Sequence, residues 1–108
     1  MIRATTPVHT FSFDKLDPRE FQKLNIYYAQ QGVELLVKTK DDCTFATEET
    51  DDGTIYYASV MLTQEETKIF KSKYDVEIQL RVLTSDGKAL ATGKYKLPVW
   101  DVINDEEL

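Results

Sequence analysis

Between Val76 and Val82 the chain alternates. Val76, Ile78, Leu80 and Val82 are apolar, and Glu77, Gln79 and Arg81 between them are polar. A period of two predicts a strand with one buried and one solvated face. A slip of one residue would bury Glu77 and Arg81, so the register is firmly set. Ser85-Asp86-Gly87 follows, and Asp-Gly tolerates the positive φ angles of a tight hairpin turn. The return through Lys88–Leu97 then predicts an antiparallel hairpin, strand 74–84 with strand 88–97. Just upstream, Thr63-Gln64-Glu65-Glu66 fits a capping box, with acidic residues where a helix N-terminus favours negative charge. It predicts a short helical turn near 64–70 that connects strands and turns Ile69 and Phe70 toward the sheet.

The same alternation recurs along the rest of the chain. Val8–Phe13 is a candidate first strand with His9, Phe11 and Phe13 on one face. Asp17-Pro18 marks a turn. Lys23–Gln30 predicts a strand with Leu24, Ile26 and Tyr28 on one face and Asn25, Tyr27 and Ala29 on the other. Gln31-Gly32 turns the chain into a third strand, Val33–Lys38, where the consecutive Leu35, Leu36 and Val37 imply burial on both sides or a bulge. After the polar break Lys40-Asp41-Asp42, a short strand is expected around Phe45, within Cys43–Thr47. Asp51-Asp52-Gly53 signals a further tight turn. Thr54–Leu62 predicts a strand with Tyr56, Ala58, Val60 and Leu62 on its more apolar face. Pro98 lacks an N–H, which suits a sheet edge or a crossing between sheets. Val99–Ile103 is expected to bring Trp100 back to the body of the domain, as a core or interface anchor. Residues 1–7 read as a flexible lead-in and 104–108 as a frayed acidic tail.

About seven strands separated by turn signals every 8–12 residues predict an all-β fold. The expected architecture is an immunoglobulin-like two-sheet antiparallel sandwich, with a small closed barrel as the alternative. A chain of 108 residues is one domain, large enough to bury a single core without cross-links.

Charge narrows the function. The formal net charge is −6, from 19 acidic and 13 basic residues. That disfavours binding to the phosphate backbone of nucleic acid and to anionic membranes. No apolar run is long enough to span a bilayer, and the first residues lack a signal-peptide core, so cytoplasmic synthesis without export is expected. Cys43 is the single cysteine, which excludes an internal disulfide and a thiolate-cluster metal site.

The side chains that could carry chemistry are few. His9 is the lone histidine. No Gly-x-Ser-x-Gly elbow accompanies it, so a half-exposed strand residue is the simpler reading. Asp41, Asp42, Glu48, Glu49, Asp51 and Asp52 form an acidic group, but their spacing does not fit a calcium loop, and a solvated turn explains them better. Glu65 and Glu66 are adjacent, do not face each other on a helical turn, and are explained by capping. Cys43 has no neighbouring histidine or helix N-terminus in the sequence to activate its thiol. No Gly-rich phosphate loop is present, and no cofactor or metal is expected. Tyr27, Tyr57 and Tyr95 could point outward and form a contact surface for sugar or protein.

Leu62-Thr63-Gln64-Glu65-Glu66-Thr67, then Val76-Glu77-Ile78-Gln79-Leu80-Arg81, then Asp86-Gly87-Lys88-Ala89-Leu90-Ala91 resemble the pattern of a group of small phage and prophage proteins from Gram-positive bacteria. Thr10-Phe11-Ser12-Phe13 and Tyr28-Ala29-Gln30 resemble that group's first aromatic strand and its strand ending in Ala-Gln. The likeness runs roughly from Pro7 to Ile103. Thr92-Gly93 departs from it, where relatives often have Ser. The motifs are turns, caps and strand patterns, so they speak to fold more than to activity. The resemblance implies a virion, tail- or baseplate-associated β-sandwich with no catalytic residues. It implies assembly in the bacterial host cytoplasm and contact with other virion proteins or with copies of itself. A similarity to the immunoglobulin-like modules of baseplate proteins holds for the fold alone. A host-surface or carbohydrate-binding module is the alternative, and it requires Tyr27, Tyr57 and Tyr95 on one surface.

Overall fold

The computed structural model covers residues 1–108 and shows an all-β sandwich of two antiparallel sheets. The first sheet has three strands in the order β1 (Val8–Asp14), β5 (Gly53–Met61), β4 (Cys43–Thr50). The second has the order β3 (Val33–Thr39), β2 (Lys23–Gln30), β6 (Val76–Leu83), and then an outer edge shared by β7 (Ala89–Ala91) and β8 (Tyr95–Leu97). This is an immunoglobulin-type order, with the sheet of the second, fifth and fourth strands of that fold packed on the sheet of its third, sixth and seventh. No strand pairs with β1 on the side away from β5; the residues that precede it pair in parallel with Trp100, beyond β8.

Alternation sorts the side chains as expected. Leu24, Ile26 and Tyr28 of β2 and Val76, Ile78 and Leu80 of β6 point inward and are buried. Ala58 and Val60 of β5 face them from the other sheet, joined by Leu62. Phe21, Phe70 and Val99 close the ends of this core. Each large aliphatic side chain removed from water contributes roughly 1.5–3 kcal/mol, so this one cluster dominates stability. Gln30 is the polar member at its end. Its amide nitrogen donates to the carbonyls of Lys71 (2.7 Å) and Tyr74 (2.9 Å), and its oxygen accepts the Lys71 N–H (2.8 Å). Both its donors and its oxygen are thereby bonded to the loop before β6.

The connections explain where the pattern breaks. Helix α1 (Gln64–Lys68) opens with the expected capping box: the Glu66 N–H donates to the Thr63 hydroxyl (3.1 Å), and the Thr63 N–H donates to the Glu66 carboxylate (2.8 Å). Phe70 is 1 % exposed, but Ile69 is 42 % exposed and does not face the sheet. Successive residues of a helical turn point about 100° apart, so only one of the two can. Residues 40–42 form a single 3₁₀ turn that carries the chain from β3 to β4 in the other sheet. The Leu-Leu-Val ambiguity resolves as a bulge: Tyr28 pairs with Leu36 and Ala29 with Glu34, leaving Leu35 as the extra residue.

The strand expected over 88–97 is two pieces. Ile78 pairs with Tyr95 and Arg81 with Ala91, so Thr92, Gly93 and Lys94 oppose only Gln79 and Leu80. Thr92 holds this bulge by donating its N–H to Leu80 O (3.0 Å) and accepting the Leu80 N–H on its hydroxyl (3.1 Å). The hairpin turn itself is as expected, with Gly87 at φ +86°.

The lead-in, expected to be flexible, is hydrogen-bonded to the body of the domain. Ile2 bridges Trp100 in parallel, and Arg3 N–H donates to Trp100 O (2.9 Å). The Arg3 guanidinium reaches Lys68 O (2.9 Å), at the end of α1, and Asp101 (2.9 Å). Leu62 N–H donates to Pro7 O (3.0 Å). Trp100 does not enter the core: Val99 takes the inward position, and the indole is 62 % exposed.

Candidate functional site at the open edge

Two sheets packed face to face have two long sides. On one side the 3₁₀ turn between β3 and β4 closes the sandwich. On the other, β1 and the β7/β8 edge are both terminal strands that do not pair with each other, bridged at one end only, where residues 1–7 run from Trp100 into β1. This side is a seam with an apolar floor. Phe13, Phe21, Leu80, Val82, Leu90 and Ala91 line its upper half. Phe11, Ile78, Tyr95 and Leu97 line its lower half beside His9. Phe11 and Tyr95 meet across it with ring centroids 6.2 Å apart. Leu16 (42 %), Leu90 (45 %) and Tyr95 (51 %) remain exposed along it.

The backbone of β1 is free on that side. Pro7 O accepts the Leu62 N–H, which makes that pair a hydrogen-bonded one. In an antiparallel ladder such pairs alternate, so His9, Phe11 and Phe13 point their N–H and C=O groups at β5. Val8, Thr10, Ser12 and Asp14 point theirs away from it, to the open edge. The Thr10 and Ser59 hydroxyls, 2.9 Å apart, mark the close side-chain approach of a non-hydrogen-bonded pair.

His9 lies on the inner face of β1, half-buried at the mouth of the seam. Its Nδ1 is 2.8 Å from the Tyr28 hydroxyl. Burial, helped by the N-terminal amino group, holds the imidazole below its ordinary pKa. Burial also pushes the Tyr28 phenol well up, so it keeps its proton. The neutral imidazole and the phenol share this hydrogen bond, and the ring tautomer sets which of them donates. The pair joins the two sheets and has no carboxylate as a third member, which makes it a packing contact with one internal hydrogen bond.

The other candidates disperse. Asp42 accepts the Thr39 N–H (2.8 Å), Glu48 accepts the Tyr57 hydroxyl (2.6 Å), and Glu49 accepts the Thr54 hydroxyl (2.9 Å). No three His, Cys, Asp or Glu side chains converge in a group that could hold a metal ion. Glu66 is occupied by its capping role and by Lys38 Nζ at 2.7 Å. Cys43 is half-buried, and burial followed by the nearby Asp42 charge raises its thiol pKa, the reverse of activation.

The three tyrosines do not form one surface. Tyr27 lies on the outer face of the second sheet, in a hollow of about 290 Å³ with Glu34, Glu77, Gln79, Arg81 and Lys94. Tyr57 lies on the outer face of the first sheet, where Glu48 accepts its hydroxyl. Tyr95 pairs with the inward-facing Ile78 and belongs to the seam. A stacking platform built from all three is therefore ruled out by their placement on separate faces. The seam itself was missed by the sequence reading. Its one signal there is the absence of any Asp, Glu, Lys or Arg between Val8 and Phe13.

Fold and edge together define an immunoglobulin-like sandwich with one unprotected side. No protein-family model matches the chain, and a search of curated proteins finds no match either. No helix is long and apolar enough to cross a membrane.

Proposed function

We propose that this chain is a non-enzymatic structural protein of a phage or prophage, an assembly module of the virion tail or baseplate. It acts through protein–protein contacts with other virion proteins or with copies of itself, during assembly in the host cytoplasm and then in the particle. The phage setting rests on the resemblance of the Leu62–Thr67, Val76–Arg81 and Asp86–Ala91 motifs. The mode of action rests on one observation: the unpaired β1 backbone beside an apolar seam. Sheets with such edges recruit another strand unless charge, proline or a bulge prevents it.

The experiment is to tag the protein in its host, induce particles and separate them on a density gradient. The protein is expected in the particle fraction, cross-linking to tail components. Particles that assemble and band normally without it contradict the proposal.

A further inference from the structure

The four strand edges of the sandwich are not alike. β3 carries a bulge at Leu35 together with Glu34 and Lys38. β4 carries Glu48 and Glu49. The β7/β8 edge is interrupted at Thr92–Lys94 and carries Lys94 and Lys96. Bulges and charges of this kind are how sheets discourage edge pairing. β1 has no bulge and no charge before its last residue. It pairs without a register break over Val8–Asp14, and its one acidic or basic residue is Asp14, at the end.

We propose that the β1 edge is a homodimer interface: β1 pairs antiparallel with β1 of a second copy about a twofold axis at Phe11, joining two three-stranded sheets into one of six. The inference rests on the assembly reading above and names the partner at that edge. Symmetry and the free groups fix the register. Val8, Thr10, Ser12 and Asp14 offer the outward N–H and C=O groups, so they must face one another in hydrogen-bonded pairs. The register that overlaps the whole strand sets Thr10 opposite Ser12 and Val8 opposite Asp14 of the second copy.

That register is self-complementary along its centre, from His9 to Phe13. Phe11 meets Phe11, and His9, held neutral by burial, meets Phe13. Hydroxyls meet hydroxyls on the outer face. No like charges are opposed, whereas a shift that brought Asp14 onto Asp14 would oppose two carboxylates and leave most of the strand unpaired. The inner-face phenylalanines of the second copy extend the apolar floor of the seam. They lie toward Leu16, Leu90 and Tyr95, the large apolar side chains left exposed there. An isologous contact of this kind closes on itself and yields a dimer, not a fibre.

Sedimentation velocity on the wild-type protein and two variants tests this. The wild type is expected to be a dimer at about 0.1 mM, a concentration that detects even modest affinity. Thr10→Lys with Ser12→Lys opposes lysines twice across the axis and is expected to weaken dimerisation about tenfold. Thr10→Lys with Ser12→Glu makes the same two positions complementary and is expected to restore it. A monomeric wild type overturns the proposal, as does a dimer that responds identically to both variants. A monomer that still enters particles removes the interface and leaves the assembly reading standing. A dimer with the expected variant pattern that is absent from particles does the opposite.

Discussion

The hydrogen bond between Tyr28 and His9 ties the centre of one sheet to the edge of the other. Tyr28→Phe removes it while keeping the ring, and a loss of about 1 kcal/mol in urea unfolding is expected. The pH dependence has a definite sign. The folded chain resists protonating His9, so the unfolded chain binds that proton more readily. The contribution is complete above the ordinary value of 6.5 and declines as pH falls below it, until the lowered folded value is reached. Replacing His9 with Gln should flatten stability between about pH 5 and 7, where carboxylates contribute little. His9 was legible in the sequence as a strand residue on an inward-alternating face. Its partner was not, because Tyr28 lies in the opposite sheet and alternation does not report which strands stack.

Helix α1 is only five residues long, so its caps carry an unusual share of its stability. Thr63→Ala should cost about 1 kcal/mol, measurable as a lower urea midpoint with an unchanged slope. Burial works against the Glu66 charge, but Lys38 and the Thr63 bonds outweigh it and hold the carboxyl below its usual range. The Glu66 contribution is thus present above about pH 4.5 and fades in acid. The capping box, the Lys23–Gln30 strand and the turns at Asp51–Gly53 and Ser85–Gly87 were all legible, because each is encoded by residues within a few positions. The split of the last hairpin arm at Thr92–Lys94 was not. It depends on Thr92 hydrogen bonding to Leu80, a contact across the sheet with no local signature. The tethering of residues 1–7 was likewise hidden, since Arg3 acts through Lys68 and Asp101.

The fold class followed from strand count and spacing, while the candidate site did not. A strand becomes an edge through the order in which strands pair, and in the order β1-β5-β4 only β4 and β5 are neighbours in the chain, while β1 finds its one partner far downstream in β5. The three tyrosines are scattered for a related reason: Tyr57 belongs to the first sheet, and although Tyr27 and Tyr95 share the second, Tyr27 faces outward and Tyr95 faces the seam. What the molecule offers instead is one continuous edge, uncharged from Val8 to Phe13, in a chain of net charge −6. The outward amides of that edge report directly on whether it is used. Hydrogen exchange followed by NMR should find His9, Phe11 and Phe13 protected at every concentration, because β5 holds them. Val8, Thr10, Ser12 and Asp14 should exchange quickly in dilute protein and slow markedly as concentration rises. Fast exchange of those four amides at all concentrations would contradict an interface at β1.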